Sequence, residues 1–331
     1  MFYDAVAKGT KMQTFLKIMA AALTVVMIAL AGVVIDANLQ ITREETLAAD
    51  SGAPGRFVTV DRHKLHVATI GDIAADPSGA PLLLIHGFAA PGHVTWLPWA
   101  SKLSAQRALI LPDLFGFGHS ARVTAPDQAY SLHAQAAALA AMLDDLGVAH
   151  VDVVGESYGG TVAARFALDY PTRVRRIVFM DAAIYPHSDG FGSNLLMRLS
   201  DLPLGIGRAV VWHTLAGGPF GFVAQNCRDQ PNCRWMRLAH VAGTTDSLRA
   251  MLSARQHFAD DAALPGEITN IKAPSLVVWG GSDRVVPVTD GDRLARELKS
   301  NFAVIADADH LPFIRQPDKV ARRVLDYFQP Q

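Results

Sequence analysis

The sequence predicts an α/β fold: a mostly parallel central sheet, helices on both faces, and a helical cap inserted between two strands. Three observations predict it. Short apolar runs recur without polar alternation, as strands buried on both faces of a parallel sheet require. Helical stretches alternate with these runs. One interval, from about Ile184 to Ile271, has no strong strand run and reads as helices throughout. The composition fits one large domain with an insertion: 331 residues, 50% hydrophobic and 18% charged. Thirty Lys+Arg against 31 Asp+Glu give a formal charge of -1, so nothing in the global charge favours nucleic acid as a partner.

The elements follow in order. Residues 1–17 form a basic N-terminal segment with Lys8, Lys11 and Lys17. Residues 18–35, "IMAAALTVVMIALAGVVI", carry no charge. As a helix this run spans about 27 Å, near the hydrocarbon thickness of a bilayer. It reads as a transmembrane signal anchor and makes the lipid bilayer a partner. More basic charge precedes it than follows it, where Asp36, Arg43, Glu44 and Glu45 stand. That bias places the N-terminus in the cytoplasm and the main domain outside, periplasmic or extracellular. Cleavage near Ala29–Ala31 and secretion is the alternative. Residues 36–55 turn polar and then Ser/Gly/Pro-rich, and read as a linker.

The first part of the core covers residues 56–183. "RFVTV" and "KLHVATI" read as early strands around a turn at Asp61–His63. "APLLLIHG", "RALILPD", "VDVVGES" and "RIVFMDAA" follow as buried strands. "SLHAQAAALAAMLDDLG" is a helix with a Ser cap and Gly147 at its end, and "YGGTVAARFALDYP" is a second that stops before Pro171. Residues 184–271 form the cap. Residues 272–331 complete the core with "SLVVWGGSD", "DGDRLARELKS", "NFAVIADADH" and "PDKVARRVLDYF". Cys227 and Cys233, the only cysteines, lie in the cap, and in an exported domain they are candidates for a small disulfide loop. Two cysteines supply too few ligands for zinc, and no other metal or cofactor motif occurs.

One motif carries chemistry. Gly155-Glu156-Ser157-Tyr158-Gly159 is G-x-S-x-G between a strand and a helix, the setting a nucleophile elbow demands. The turn strains the serine, and the residues two before and two after it must be small. The helix that starts there aims its first amides at the reaction centre.

With this motif in place the chain resembles the serine hydrolases of the α/β-hydrolase superfamily, from about Arg56 to Phe328 and most weakly across the cap. The resemblance implies a triad in the order nucleophile, acid, histidine. Ser157, Asp283 in "GGSDRVVP" and His310 in "DADHLPFIRQP" fall in that order. His310 would act as the base and Asp283 would fix its tautomer. Asp181 is a rival acid position, and Asp309 a weaker one. "HGF" (His86–Phe88) resembles the oxyanion loop, which implies the backbone N–H groups of Phe88 and Tyr158 as oxyanion donors. His86, Asp113 and His119 read as structural, Gly116 and Gly118 as permitting a tight turn. Glu156 has no assigned role.

Relatives that cleave carbon–halogen bonds or epoxides carry aspartate at the elbow, whereas this chain has serine. The expectation is a membrane-anchored hydrolase of a carboxylic ester through an acyl-enzyme, acting on a small molecule with an apolar acyl or alcohol group. The alternatives are carbon–carbon bond hydrolysis and an aminopeptidase. A non-catalytic binding protein on the same scaffold comes last. Trp96, Trp99, Trp212, Phe220, Phe222, Trp235 and Met236 either line the cleft or pack the cap onto the core.

Overall fold

The computed structural model describes residues 2–49, 54–76, 79–88, 92–123, 130–185, 198–214, 244–255 and 259–329. Cys227 and Cys233 lie outside these residues, as do Phe220, Phe222, Trp235 and Met236.

Eight strands form one sheet in the order β1-β2-β4-β3-β5-β6-β7-β8. They are β1 (Arg56–Val60), β2 (His63–Ile70), β3 (Leu82–Ile85), β4 (Leu109–Pro112), β5 (Val151–Glu156), β6 (Val174–Met180), β7 (Ser275–Gly280) and β8 (Asn301–Ile305). β2 pairs antiparallel with β1 and β4, and every other pairing is parallel. The expected turn between β1 and β2 holds Asp61 and Arg62 at positive φ. Every residue of β3, β4 and β5 is buried, which is why these strands read as continuous apolar runs. β8, at the edge, is exposed at two of its five positions.

Helices cover both faces. On one lie α3 (Leu132–Asp145), α4 (Tyr158–Asp169) and α8 (Val288–Leu298), packed around Phe166, Phe179 and Trp279. On the other lie α2 (Leu97–Ser104), α9 (Pro312–Arg315) and α10 (Pro317–Phe328), packed around Trp96, Trp99 and Phe313. Ser131 caps α3 by accepting a hydrogen bond from the Ala134 amide at 3.1 Å. Trp96, Trp99 and Trp212 are buried in packing. Among the described residues the excursion between β6 and β7 holds no strand and contains the helices α5 (Ile206–Thr214), α6 (Thr244–Arg255) and α7 (Ala259–Glu267).

At the N-terminus α1 runs without a break from Phe2 to Ala49. Its stretch Phe15–Thr42 is long and apolar enough to cross a membrane. The expected linker is therefore corrected over residues 36–49, which are helical. No Gly or Pro interrupts them, and Ala37 and Ile41 find a surface that buries them completely. An exposed polar tether has no such reason to stay helical.

Candidate active site

The C-terminal ends of the parallel strands converge on one point. β5 ends at Glu156, and α4 starts one residue after Ser157. Ser157 takes φ 52° and ψ -121°, a strained conformation for a residue with a side chain. The glycines around it are sterically required. A Cβ on Gly159 would sit 2.1 Å from the Ile85 carbonyl oxygen, and one on Gly155 would sit 2.5 Å from the Gly159 oxygen. α4 thus lies against the end of β3 with no room for a methyl group.

The structure brings the three expected residues together. His310 Nε2 lies 3.0 Å from Ser157 Oγ, and His310 Nδ1 lies 2.8 Å from Asp283 Oδ2. Asp283 Oδ1 accepts the amides of Val285 at 2.7 Å and Val286 at 3.0 Å, so the turn after β7 fixes the carboxylate. With Nδ1 donating to the Asp283 carboxylate, Nε2 can accept the hydrogen bond of the Ser157 hydroxyl. Burial opposes charge on His310. The hydrogen bond to Asp283 and the charges of Glu156 and Asp283 outweigh it, and its pKa is raised above the ordinary value.

Two further carboxyl groups stand in the same pocket. Asp181, the rival acid, follows β6 at φ 45° and is fully buried. Its carboxyl, Asp283 and His310 place one atom each within 4.8 Å of one another. Oδ1 of Asp181 accepts the Gly280 amide at 2.8 Å. Burial and the neighbouring Asp283 charge push its pKa well up, which disfavours the ionised form that a partner of the histidine needs. Asp309 is turned to Arg315, whose Nε donates to it at 2.6 Å.

Glu156, which the sequence left without a role, is only 2% exposed. Its Oε1 lies 3.6 Å from His310 Nε2, on the same nitrogen that faces the serine. Burial, with the charge of Asp283, raises its pKa to about 7 against the opposing effects of His310 and the Gly87 amide. The sequence signal was its position beside the nucleophile; nothing local indicated that His310 would close over it.

The loop after β3 lies beside the serine. A Cβ on Gly87 would come 3.1 Å from Ser157 Cβ and 2.4 Å from Glu156 Oε2. Phe88 follows directly, and Tyr158 opens α4. Their rings meet edge to face at 5.9 Å, and Phe117 joins them at 5.7 Å from Phe88. His86 supports the loop: its Nε2 accepts the Leu114 amide at 3.1 Å, so Nδ1 donates to the Gly87 carbonyl at 2.9 Å.

Asp113 is a buried hub. His66 Nδ1 and His93 Nδ1 each lie 2.9 Å from it, and the amides of His93 and His119 donate to it. Burial raises its pKa, but the hydrogen bonds from both histidines outweigh that and hold it far below the usual carboxylate range. His66, His93 and Asp113 have metal-ligand chemistry, and here the Nδ1 atoms of both histidines are turned to the Asp113 carboxylate while His66 Nε2 meets the Pro54 carbonyl at 2.8 Å. The group ties the His93 segment to the Gly116–Gly118 turn.

Comparison with known proteins accords with this geometry. A family profile described as alpha/beta hydrolase fold matches residues 80–206. The mostly parallel eight-stranded sheet with helices on both faces agrees with it. The chain has the α/β-hydrolase fold. The 2-hydroxy-6-oxo-2,4-heptadienoate hydrolase of Pseudomonas putida is 29% identical over 76% of this chain and 89% of its own. The 2-hydroxymuconate semialdehyde hydrolase of a Pseudomonas species is 29% identical over 76% of this chain and 87% of its own. A solved membrane phospholipase A, described as a bacterial virulence factor, superimposes with a TM-score of 0.65 at 26% identity, covering 97% of this chain and 99% of that one. These likenesses support a hydrolase on the α/β-hydrolase fold. Of the activities expected from the sequence, the two curated relatives correspond to the carbon–carbon alternative rather than the leading carboxylester reading.

Proposed function

We propose that the protein is a serine hydrolase that cleaves its substrate next to a carbonyl through an acyl-enzyme on Ser157. The observation that carries this reading is the hydrogen-bonded chain Ser157–His310–Asp283 on a strained strand-to-helix elbow. Ser157 Oγ attacks the carbonyl carbon while His310 Nε2 takes its proton. The oxyanion forms beside the backbone N–H groups of Phe88 and Tyr158, which act as its donors. Collapse expels the leaving group, which receives a proton from His310. Water, activated by the same imidazole, then hydrolyses the acyl-serine. No cofactor takes part in these steps.

The bond cleaved follows from the leaving group. Two relatives are named as hydrolases of 2-hydroxy-6-oxo-2,4-heptadienoate and of 2-hydroxymuconate semialdehyde, and this supports a vinylogous diketone whose leaving group is a stabilised carbanion. A second reading rests on a different observation. α1 presents an apolar stretch long enough to cross a bilayer, and the relative that matches the chain over 97% of its length is named as a membrane phospholipase. That combination favours a carboxylic ester with an apolar acyl chain, met at a membrane to which α1 anchors the enzyme with the catalytic domain outside.

Full-length protein in detergent, with Ser157→Ala as control, separates these readings. A fluorophosphonate probe should label the wild type and not the variant, and turnover should fall on the order of a million-fold. Cleavage of a dienone diketone at least tenfold faster than of aryl esters establishes the carbon–carbon reading. Ester turnover that rises with acyl length, without diketone cleavage, establishes the other. Equal labelling of wild type and variant refutes both.

A further inference from the structure

Where α1 leaves an apolar phase is set by what packs on it. Val34, Ala37, Asn38 and Ile41 are spaced i, i+3, i+4, i+7 and share one helix face. Ala37 and Ile41 are fully buried, while Ile35 and Leu39 on the other side are 60% and 65% exposed. The covering surface is α5 and the turn that leads into it. Asn38 Nδ2 donates to the Gly205 carbonyl at 3.2 Å, and Gly205 takes φ 77°, where a Cβ would come 2.9 Å from that same nitrogen. The hydrocarbon must end near this contact, because the folded domain begins there.

Immediately before Gly205 the chain presents Leu202-Pro203-Leu204. Leu204 is 89% exposed, the highest value among the exposed large hydrophobic side chains of the described residues, and Leu202 is 37% exposed. The turn is built rather than loose. The Gly207 amide donates to the Leu202 carbonyl at 3.1 Å, and the Ile206 amide to the Pro203 carbonyl at 3.1 Å. Leu204 itself is held at φ 59°, a left-handed conformation that L-residues with side chains seldom adopt. Strain that keeps an apolar side chain in water has no folding rationale. Polar groups mark the limit of the patch: Asp201 is exposed beside it, and Arg208 is tied to Asp246 at 3.1 Å.

We propose that the Leu202–Leu204 turn is a second bilayer contact, which seats in the lipid interface beside the point where α1 emerges and fixes the tilt of the catalytic domain on the membrane. Asn38 stands three residues past Ile35, about 4.5 Å along the helix axis, whereas the interfacial layer on each side of the hydrocarbon is roughly 5–7 Å thick. A side chain next to the partner of Asn38 therefore falls within that layer. The inference rests on reading α1 as a bilayer anchor. Its occupant is the lipid surface, because the helix that the turn touches is the one that enters the bilayer.

The test uses the full-length chain with Cys227→Ser and Cys233→Ser, reconstituted in phosphatidylcholine vesicles. A polarity-sensitive fluorophore is placed at one of three substitutions: Leu204→Cys, Leu23→Cys within the apolar run, or Lys319→Cys on α10. Emission from position 204 should be blue-shifted and quenched at least twofold by headgroup-proximal nitroxide lipid, with position 23 quenched by mid-chain nitroxide and position 319 unaffected. Quenching at 23 with water-like emission at 204 overturns the docking turn and leaves the anchor standing. Water-like emission at both positions overturns the anchor reading itself. A blue shift at 204 that lipid nitroxides do not quench, and that fades as protein is diluted in lipid, makes the occupant a second copy and overturns the proposal. A benzophenone amino acid at 204 in the chain with both native cysteines gives an independent readout. Crosslinks to phospholipid support the contact, and their absence alongside crosslinks from position 23 refutes it.

Discussion

If Ser157 is the nucleophile proposed above, Glu156 belongs to its proton balance. The carboxyl is buried against His310, and its pKa of about 7 stands above the ordinary 4.5. Above pH 7 its charge faces the imidazole nitrogen that must receive the serine proton, and so favours the imidazolium. Asp283 faces the other ring nitrogen, and Asp181, whose pKa is pushed well up by burial and the Asp283 charge, places an atom within 4.8 Å of both. Glu156→Gln should therefore lower the His310 pKa and move the acidic limb of the kcat/KM profile to lower pH. It should also reduce kcat on the order of tenfold above pH 7. A Glu156→Gln enzyme with an unshifted profile would remove the carboxylate from the proton balance. Stability gives a second readout. Between pH 4.5 and 7 the unfolded chain has released this proton while the folded chain keeps it, so the wild type loses stability from this group as pH rises. The loss is on the order of 3 kcal/mol by pH 8, and Glu156→Gln should escape it when unfolding is followed by denaturant titration. The elbow was legible because its constraint is local: two glycines, one serine and a strand before them. The tuning was not, since His310 and Asp181 reach Glu156 only through the fold.

Strand β5 ties that site to the far end of the sheet. Five residues before the serine, roughly 16 Å away along the strand, Asp152 is fully buried. Arg107 Nη2 lies 2.8 Å from it, and Arg175 Nε donates to it at 2.9 Å. Removing the shared anion breaks a buried ion pair and leaves Arg107 to its longer contact with Asp76 at 3.5 Å. Asp152→Ala should thus cost roughly 3–5 kcal/mol in a denaturation midpoint experiment, with kcat per folded molecule unchanged. At the other end, Gly159→Ala pushes a methyl group into the Ile85 carbonyl and should abolish probe labelling even where the protein folds. The parallel strands were legible as elements because both their faces are buried, which leaves an unbroken apolar run in the sequence. Helix α1 past Ile35 was not legible. Asp36–Ala49 looks like a polar tether until Ala37 and Ile41 are seen against a surface that begins more than 150 residues later.

That surface makes the N-terminal helix part of the folded molecule. α1 touches the catalytic domain through α5, in the excursion between β6 and β7, whereas the sheet is closed by α2, α3, α4, α8 and α10 without it. Stability should divide accordingly. The sheet carries the global unfolding free energy, and α5 depends on Ala37 and Ile41 for part of its apolar cover. Truncating Ile41 to Ala in the full-length protein removes buried methyl groups at this contact, a change that typically costs about 2–5 kcal/mol. Because the cost falls on a sub-global unit, it should appear as faster amide exchange over residues 206–214, on the order of thirtyfold or more, with β3 and β5 unchanged. Hydrogen-exchange mass spectrometry resolves both regions in one experiment. Uniform acceleration across sheet and excursion would mean instead that α1, the excursion and the core unfold as one cooperative unit. Helix α1 would then contribute to the stability of the candidate site itself, and removing it would weaken the geometry at Ser157.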